Sequence, residues 1–438
     1  MTSVKNFRKL SFLVYGLGLS GKSVVNFFKK KKIQNFLVWD DKNKDLFVNK
    51  IPKNLGKIIN EVDYIILSPG INLNKSKYSK ELIKNRRKII TDLDLLFLFY
   101  KNIKSVVVTG TNGKSTTCKI IEHVLKKNSF KALLGGNIGT PVLNLKIKKK
   151  SFVIIEASSY QLAYSKFIHP NFAILLNITN DHLDWHGNMK NYINAKFKIF
   201  SLQRKKDFSI IHKKLAKKFK KRRLKGKLFL PDIAAFEKIK PKINKNTFIK
   251  SNINDENISF VFTLSKILKI SEKSFIKSLK SFVGLPHRYE IFLKRKDNVF
   301  INDSKATSFQ ATKLALQNST NIFWIVGGLP KKDDKIDFRN FRKNIIKSYI
   351  IGNHTNFFKN QLKDKLNYCI CKNIKKTIIQ ILKDIEFLKT KKNTILLSPA
   401  AASFDQYPNF EKRGEEFKRL SKLYARKFLK IYTYKLLA

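Results

Sequence analysis

The chain is short of acid. Its 438 residues hold 31 Asp and Glu against 90 Lys and Arg, a formal charge of +59. Such an imbalance points either to a polyanionic partner, nucleic acid or an anionic membrane surface, or to compositional drift. The lysines spread along the whole chain together with Asn, Ile and Phe, all residues with A/T-rich codons. That distribution favours drift and argues against a nucleic-acid partner, while the field still draws in polyanionic small molecules such as nucleotides. Cysteine is equally sparse. Cys118, Cys369 and Cys371 make neither a disulfide framework nor a zinc spacing, and Cys369-x-Cys371 lacks the two-residue gap of a redox motif. Long apolar runs are missing too: nothing approaches the ~18 residues of a membrane span. Lys5, Arg8 and Lys9 before Ser11–Tyr15 imitate a secretory leader, but Gly16, Gly18, Gly21 and Lys22 interrupt it and no small-residue cleavage site follows. A cytoplasmic protein with no membrane span is expected, with hydrophobic content of 43%, ordinary for a folded chain.

What is present is a glycine loop of high specificity. TGTNGKSTT, Thr109 to Thr117, follows the apolar run Ile103–Val108 and precedes a helical period of Ile120, Ile121, Val124 and Leu125. Strand, loop and helix in that order turn the backbone of Gly110, Thr111, Asn112, Gly113, Ser115 and Thr116 toward one point, which suits phosphate. Lys114 adds a point charge for the outer phosphates, and the Ser115 hydroxyl suits Mg²⁺. The strict P-loop spacing would need glycine where the chain has Val108, so the loop is a variant. ATP is the expected ligand.

Two further blocks flank it. Phe12–Tyr15 runs into Gly16-Leu-Gly18-Leu-Ser-Gly21 and a helix, and the strand Phe36–Trp39 ends in Asp40-Asp41. Alone, that is a dinucleotide fingerprint; it means only that a diphosphate can sit on the helix N-terminus. Tyr64–Leu67 leads into Ser68-Pro69-Gly70, another strand-end loop of the kind where ligands collect. After Gly284-Leu-Pro286, a natural hinge, strands at 299–301, 322–326, 349–351 and 394–397 alternate with helical segments. The fold class expected is α/β in three domains, each a mostly parallel sheet with helices: Rossmann-like 1–92, a P-loop-type central ATPase domain 93–284, and Rossmann-like 285–438. Between Arg204 and Lys250 the pattern degrades into a Lys-rich stretch, densest at Lys217–Arg223, which reads as a solvated face.

Polar residues gather at strand ends after the ATP loop. Glu156 could complete metal coordination begun by Ser115, or cap a helix. Asn180-Asp-His-Leu-Asp184 offers an imidazole and two carboxylates, with Asp181 and Asp184 equally suited to capping. Lys196, in an amphipathic segment, is one lysine among many. Asn254 and Asn257 fall on one helical turn. Arg288, after His287, suits a phosphate clamp, and Asp303 suits ribose hydroxyls.

In this order the segments resemble the Mur ligases, and among them the D-glutamate-adding members. The resemblance covers essentially the whole chain: GLGLSGKS from Gly16, SPGI from Ser68, TGTNGKST, GGNIGTP from Gly135, EASSYQL from Glu156, LNITNDHLDWHG from Leu176, AKFKIF from Ala195, GLPHRYE from Gly284, INDSKATS from Ile301 and LLSPAAASFDQYPNFEKRGEEF from Leu396. INDSKAT with SPAAASFDQ points to D-glutamate rather than to alanine, diamino-acid or dipeptide addition. The resemblance implies ATP-driven activation of a carboxylate on UDP-N-acetylmuramoyl-L-alanine as an acyl phosphate, then attack by D-glutamate, in a monomer using Mg²⁺. It implies roles for Lys114, Asn137, His182, Lys196 and Arg288 in the chemistry, and Ser115, Glu156, His182 and a CO₂-derived carbamate of Lys196 as metal ligands. Asn257, His287, Arg288 and Asp303 would lie around ATP. Gly18, Leu19, Ser20, Ser68 and Asn137 would contact the UDP-sugar. Lys305, Thr307, Ser403, Phe404 and Phe410 would form the D-glutamate pocket, with either Lys331 or Lys332 added. Asp41-Lys42 stands where some members have Thr-Arg beside uracil, and Phe404 replaces a smaller aliphatic residue. Bringing three ligands together implies movement near Leu93 and Gly284.

Rival readings explain less. A nicotinamide-dependent oxidoreductase rests on the first glycine motif alone. A nucleic-acid-binding protein rests on charge alone. A folate-polyglutamylating ligase shares the ATP loop but not the SPAAASFDQ ending.

Overall fold

A computed structural model describes residues 7–42, 48–243, 254–331 and 334–435. Among these lie three sheets, in two compact units that divide the chain between Ser281 and Phe282, with Asn254 grouped with the second.

In the first unit, β1 (Phe12–Tyr15), β2 (Phe36–Trp39), β3 (Tyr64–Leu67) and β4 (Ile89–Ile90) form a parallel sheet ordered β2-β1-β3-β4. β1 is apolar at every position because both faces are covered, the usual composition of a parallel strand. Its register sets Tyr15 opposite both Trp39 and Leu67. Gly16, Asp40 and Ser68 therefore emerge side by side at one sheet edge.

The second sheet holds β5 (Lys104–Thr109), β6 (Ala132–Gly136), β7 (Phe152–Glu156), β8 (Phe172–Leu175), β9 (Phe208–Ile211) and β10 (Lys227–Phe229). It too is parallel, ordered β10-β9-β8-β5-β7-β6. β5 is central, with Val108 opposite Glu156 and Thr109 opposite Leu175. Its glycine loop is thus flanked by Glu156 on one side and Asn177 on the other. Within the Lys-rich stretch, expected to be a solvated face, only the densest part is one; the stretch also holds β9, β10 and the helix Ile233–Ile239 with Phe236 fully buried, and 244–250 lie outside the described residues. Leu215 and Phe219 anchor that densest part while Lys217, Lys218 and Lys220–Arg223 are exposed.

The two sheets share one core, in which Phe27, Val38, Ile90, Leu96, Val107, Ile155 and Phe200 belong to a single apolar cluster. Leu93 lies in the helix Asp92–Phe99, where Leu93, Leu95 and Leu96 are fully buried. The helix is apolar on every side, as suits one packed between two layers. Asp94 rivets it: Oδ1 accepts from the backbone N–H groups of Lys166 (2.8 Å) and Phe167 (2.7 Å), and Oδ2 from Thr91 N–H (2.8 Å).

The second unit carries β11 (Glu290–Arg295), β12 (Asn298–Asn302), β13 (Ile322–Gly327), β14 (Ile345–Ile351), β15 (Tyr368–Lys372) and β16 (Asn393–Leu397), ordered β11-β12-β16-β13-β14-β15. All pairs are parallel except β11–β12. β11 was absent from the expected strands. Its hairpin turns at Lys296, whose φ of +46° occupies a place where Gly or Asn would have signalled the turn. Apolar clusters cover both faces of this sheet. Gly284, with φ +81°, lies three residues past the division between the units.

Candidate active site

At the first glycine loop, Ser68 Oγ donates to Gly16 O (2.7 Å) and Leu17 N–H donates to Asp40 Oδ2 (2.6 Å). Two glycines are sterically required. A Cβ on Gly21 would lie 1.8 Å from Gly16 O, and Gly16 combines φ +96° with a Cβ position 2.6 Å from that of Ser68. Leu19 is 79% exposed at the start of the helix Leu19–Lys30, and Gly18 has open space around it. Ser20 hydrogen-bonds the buried Asp92, whose carboxyl is pushed up to about 6, chiefly by burial. Asp41 is exposed but engaged: it accepts from Trp39 Nε1 (2.9 Å) and the Tyr15 hydroxyl (3.2 Å).

The second loop is built differently. Asn177 straps it: Asn177 O accepts from Thr111 N–H (2.9 Å), and its side-chain oxygen from Asn112 N–H (2.8 Å). Thr111 Oγ1 and the Tyr192 hydroxyl are 3.0 Å apart. Lys114 Nζ donates to Gly110 O (2.9 Å) and Thr111 O (2.8 Å). Lys196 Nζ donates to the same Gly110 O (2.8 Å) and lies 4.6 Å above the Tyr192 ring. Lys196 is 1% exposed. Burial, and then the charge of Lys114, holds its ammonium well below the usual lysine range. Gly113 has φ +83°, and a Cβ there would sit 2.2 Å from Asn257 Oδ1, so Asn257 packs directly on the loop.

Glu156 is buried, not capping: Ser158 and Gln161 cap the next helix, Ser159–Tyr164, with a capping box. Asn137 grips Glu156 twice, its N–H on Glu156 O and its Nδ2 on Oε1, both at 2.9 Å. The other carboxylate oxygen, Oε2, is buried without a partner among the described residues. A buried acceptor left open costs ~1–3 kcal/mol or more for a charged group, and a cation would satisfy it. That open oxygen, beside the Ser115 hydroxyl expected to meet Mg²⁺, fits a hard cation, although no cluster of three His, Cys, Asp or Glu occurs among the described residues. His182 has a left-handed backbone, φ +55°. Its Nδ1 is 2.6 Å from the Tyr160 hydroxyl and its Nε2 3.3 Å from Asp181 Oδ2. Asp181 therefore serves His182, and the helix Leu183–His186 receives no side-chain cap from its N-cap residue, His182.

In the second unit, His287 (φ +63°) is buried, its Nδ1 2.9 Å from Asn302 Nδ2 and its N–H donating to Glu290 Oε2 (2.9 Å). Asp303 accepts from Ser398 Oγ (2.7 Å) and Tyr289 N–H (3.1 Å), and burial of its carboxyl pushes it up to about 7 against the charge of Arg288. Lys305 Nζ lies 3.7 Å over the Phe410 ring. Ser403 is buried, Thr307 half-buried and Phe404 69% exposed. Lys331 is exposed; Lys332 lies outside the described residues. Arg413 ties the pocket loops together, donating from Nη2 to Ser304 O (2.8 Å) and Ala401 O (2.9 Å).

Sequence reasoning missed Tyr160, Tyr192, Asn177 and Arg413. Lys196 had a usable signal: four residues after Tyr192 it shares that residue's buried helical face. Arg413 had none.

An ATP-type loop beside a buried lysine and an open carboxylate, with a further α/β unit, is the equipment of a nucleotide-driven ligase. Family models agree: the Mur ligase middle domain matches residues 108–276, and the Mur ligase MurD-like N-terminal domain matches 10–90. The chain is 34% identical to the UDP-N-acetylmuramoylalanine–D-glutamate ligase of Rickettsia bellii, over 94% of this chain and 97% of that one. It is 36% identical to the ligase of the same name from Buchnera aphidicola subsp. Schizaphis graminum, over 95% and 99%. The chain belongs to the Mur ligase family, in the branch of the UDP-N-acetylmuramoylalanine–D-glutamate ligases. At the level of fold it is similar to the MurF ligase of Thermotoga maritima solved with ADP, with a TM-score of 0.55 at 15% identity over 96% and 97% of the chains. The UDP-N-acetylmuramate–alanine ligase of that organism gives 0.54 at 16% identity over 93% and 98%.

Proposed function

We propose that the chain joins D-glutamate to UDP-N-acetylmuramoyl-L-alanine, with ATP converted to ADP and phosphate, in peptidoglycan precursor synthesis. The observation that carries this reading is Lys196, buried against Gly110 O beside Lys114, near a loop flanked by the open carboxylate of Glu156.

A carboxylate is a poor electrophile, so it is first phosphorylated by ATP. The D-glutamate amine then attacks the acyl phosphate, and phosphate departs from the tetrahedral intermediate. Residues 110–116 bind the phosphates through backbone N–H groups, and Lys114 neutralises the phosphoryl group in transfer. Ser115, Glu156, His182 and Lys196 are the residues that would hold Mg²⁺, which when bound offsets the crowded phosphate charge. Low ammonium character suits Lys196 for its part: the neutral amine forms an N–C bond to CO₂ and loses a proton, turning a cation into a carbamate ligand. Gly18, Leu19, Ser20, Ser68 and Asn137 are assigned to the UDP-sugar. Asn257, His287, Arg288 and Asp303 are assigned to ATP, and Lys305, Thr307, Ser403, Phe404 and Phe410 to D-glutamate. The corresponding domains are 1–92, 93–284 and 285–438, in a cytoplasmic monomer.

The test is phosphate release with Mg-ATP, bicarbonate and UDP-N-acetylmuramoyl-L-alanine, comparing D-glutamate, L-glutamate and no amino acid. Release that needs D-glutamate, with one glutamyl unit added to the product mass, is expected. Equal release with L-glutamate would move the specificity, and none at all would overturn the reading.

A further inference from the structure

Tyr160 has no role in the assignments above, yet it makes a close contact with one of the assigned groups. Its hydroxyl is 2.6 Å from His182 Nδ1, with the ring centroids 4.8 Å apart. The Ser158–Gln161 capping box fixes the start of its helix, and so the direction from which it approaches. Its ring is wedged between Trp185, at 4.8 Å, and His186, stacked at 5.8 Å with an interplanar angle of 6°. Trp185 O in turn accepts from Asn72 Nδ2 (3.0 Å), in the loop that follows Ser68.

His182 is held on every side that these residues reach. A left-handed backbone, here φ +55°, at a residue with a Cβ is strained and persists only where the surroundings enforce it. Asp181 supplies one hold, accepting from His182 N–H with Oδ1 (3.0 Å) and standing 3.3 Å from Nε2 with Oδ2. Tyr160 supplies the other. An imidazole presents two nitrogens, and a hydrogen bond at one decides which is offered at the other and in which plane.

We propose that Tyr160 is a positioning residue for His182, its hydroxyl engaging Nδ1 so that Nε2, together with the Asp181 carboxylate 3.3 Å from it, is the side of the ring turned to the phosphate and cation chemistry of the site. This rests on the reading that His182 acts in the ligation. A phenylalanine at 160 would keep the packing against Trp185 and His186 and lose only the hydroxyl, so the substitution isolates the contact.

The experiment is Tyr160→Phe in the full chain, with thermal unfolding as the check on folding. Turnover is expected to fall about tenfold to a hundredfold, with KM for the UDP-sugar within about twofold. Mn²⁺ binding to the ADP-loaded protein, read by electron paramagnetic resonance without turnover, should weaken by about tenfold. In a His182→Gln background, Tyr160→Phe should change Mn²⁺ affinity no further. On the unaltered protein, long-range ¹H–¹⁵N spectra of histidine-labelled chain should show His182 locked as one tautomer. Unchanged turnover, a rise in KM alone, a loss that persists without His182, or an averaged tautomer would each overturn the proposal. A wild-type chain with no ligase activity would instead sink the ligase reading, and the Mn²⁺ cycle would still judge Tyr160.

Discussion

At Gly16 and at Gly110 a buried parallel strand runs into a glycine turn and then a helix, but the two turns are secured by opposite charges. The first leans on carboxylates: Asp40 takes the Leu17 N–H, and Asp92 takes Ser20 from below. The second is crowded by lysine side chains, with Lys114 and Lys196 both on Gly110 O and an open carboxylate oxygen on the neighbouring strand. A turn braced by acids holds its shape and offers N–H groups to a diphosphate. A turn flanked by two lysines, one of them buried, and an open acid is equipped for chemistry as well as binding. Glycine spacing is nearly the same language in both places. What separates binding from chemistry arrives from strands and helices that fold back from elsewhere in the chain.

The largest test of that contrast is Lys196→Met. It should lower ligation by more than about 10³-fold, while UDP-sugar affinity, measured by calorimetry, stays near wild type. An equal loss of sugar binding would mean that the two loops do not act separately. Gly21→Ala should do the reverse. Its Cβ would meet Gly16 O at 1.8 Å, costing about 2–3 kcal/mol of stability by overpacking and weakening the UDP-sugar far more than ADP. The smallest expected effect is in pH. Asp92 titrates at about 6 in the folded chain and at about 3.9 when unfolded. Between those values the native state holds a proton the unfolded state has released, so stability falls as pH rises through the window. Asp92→Asn lacks that loss, and the stability difference should move in its favour by about 2 kcal/mol from pH 4 to pH 6, as read by urea unfolding. A difference flat across the window would show that Asp92 stays ionised in its pocket.

The strands, the glycine loops and the order of the domains were legible because parallel strands buried on both faces read as plain apolar runs. The loop from Gly110 to Thr116 was legible because its residue types are each required by phosphate. Lys196 was not, because its distinction is burial, and a basic chain offers no contrast for one more lysine. Tyr160 was hidden for another reason: its partner, His182, lies on a separate loop, and spacing along the chain says nothing about a hydrogen bond across it. β11 was missed because Lys296 takes a backbone shape that the sequence reserves for other residues.

The core shared by the first two sheets bears on how such a protein can be inherited. A domain that owns its whole apolar interior can be cut out and grafted elsewhere like a cartridge. The first sheet here does not: Phe27, Val38 and Ile90 finish their packing against Leu96, Val107 and Ile155. A foreign first sheet spliced in at that seam would leave half an interior facing water. New specificity at the first glycine loop has to be gained by changing residues in place, whereas the unit that begins at Phe282 carries apolar clusters of its own.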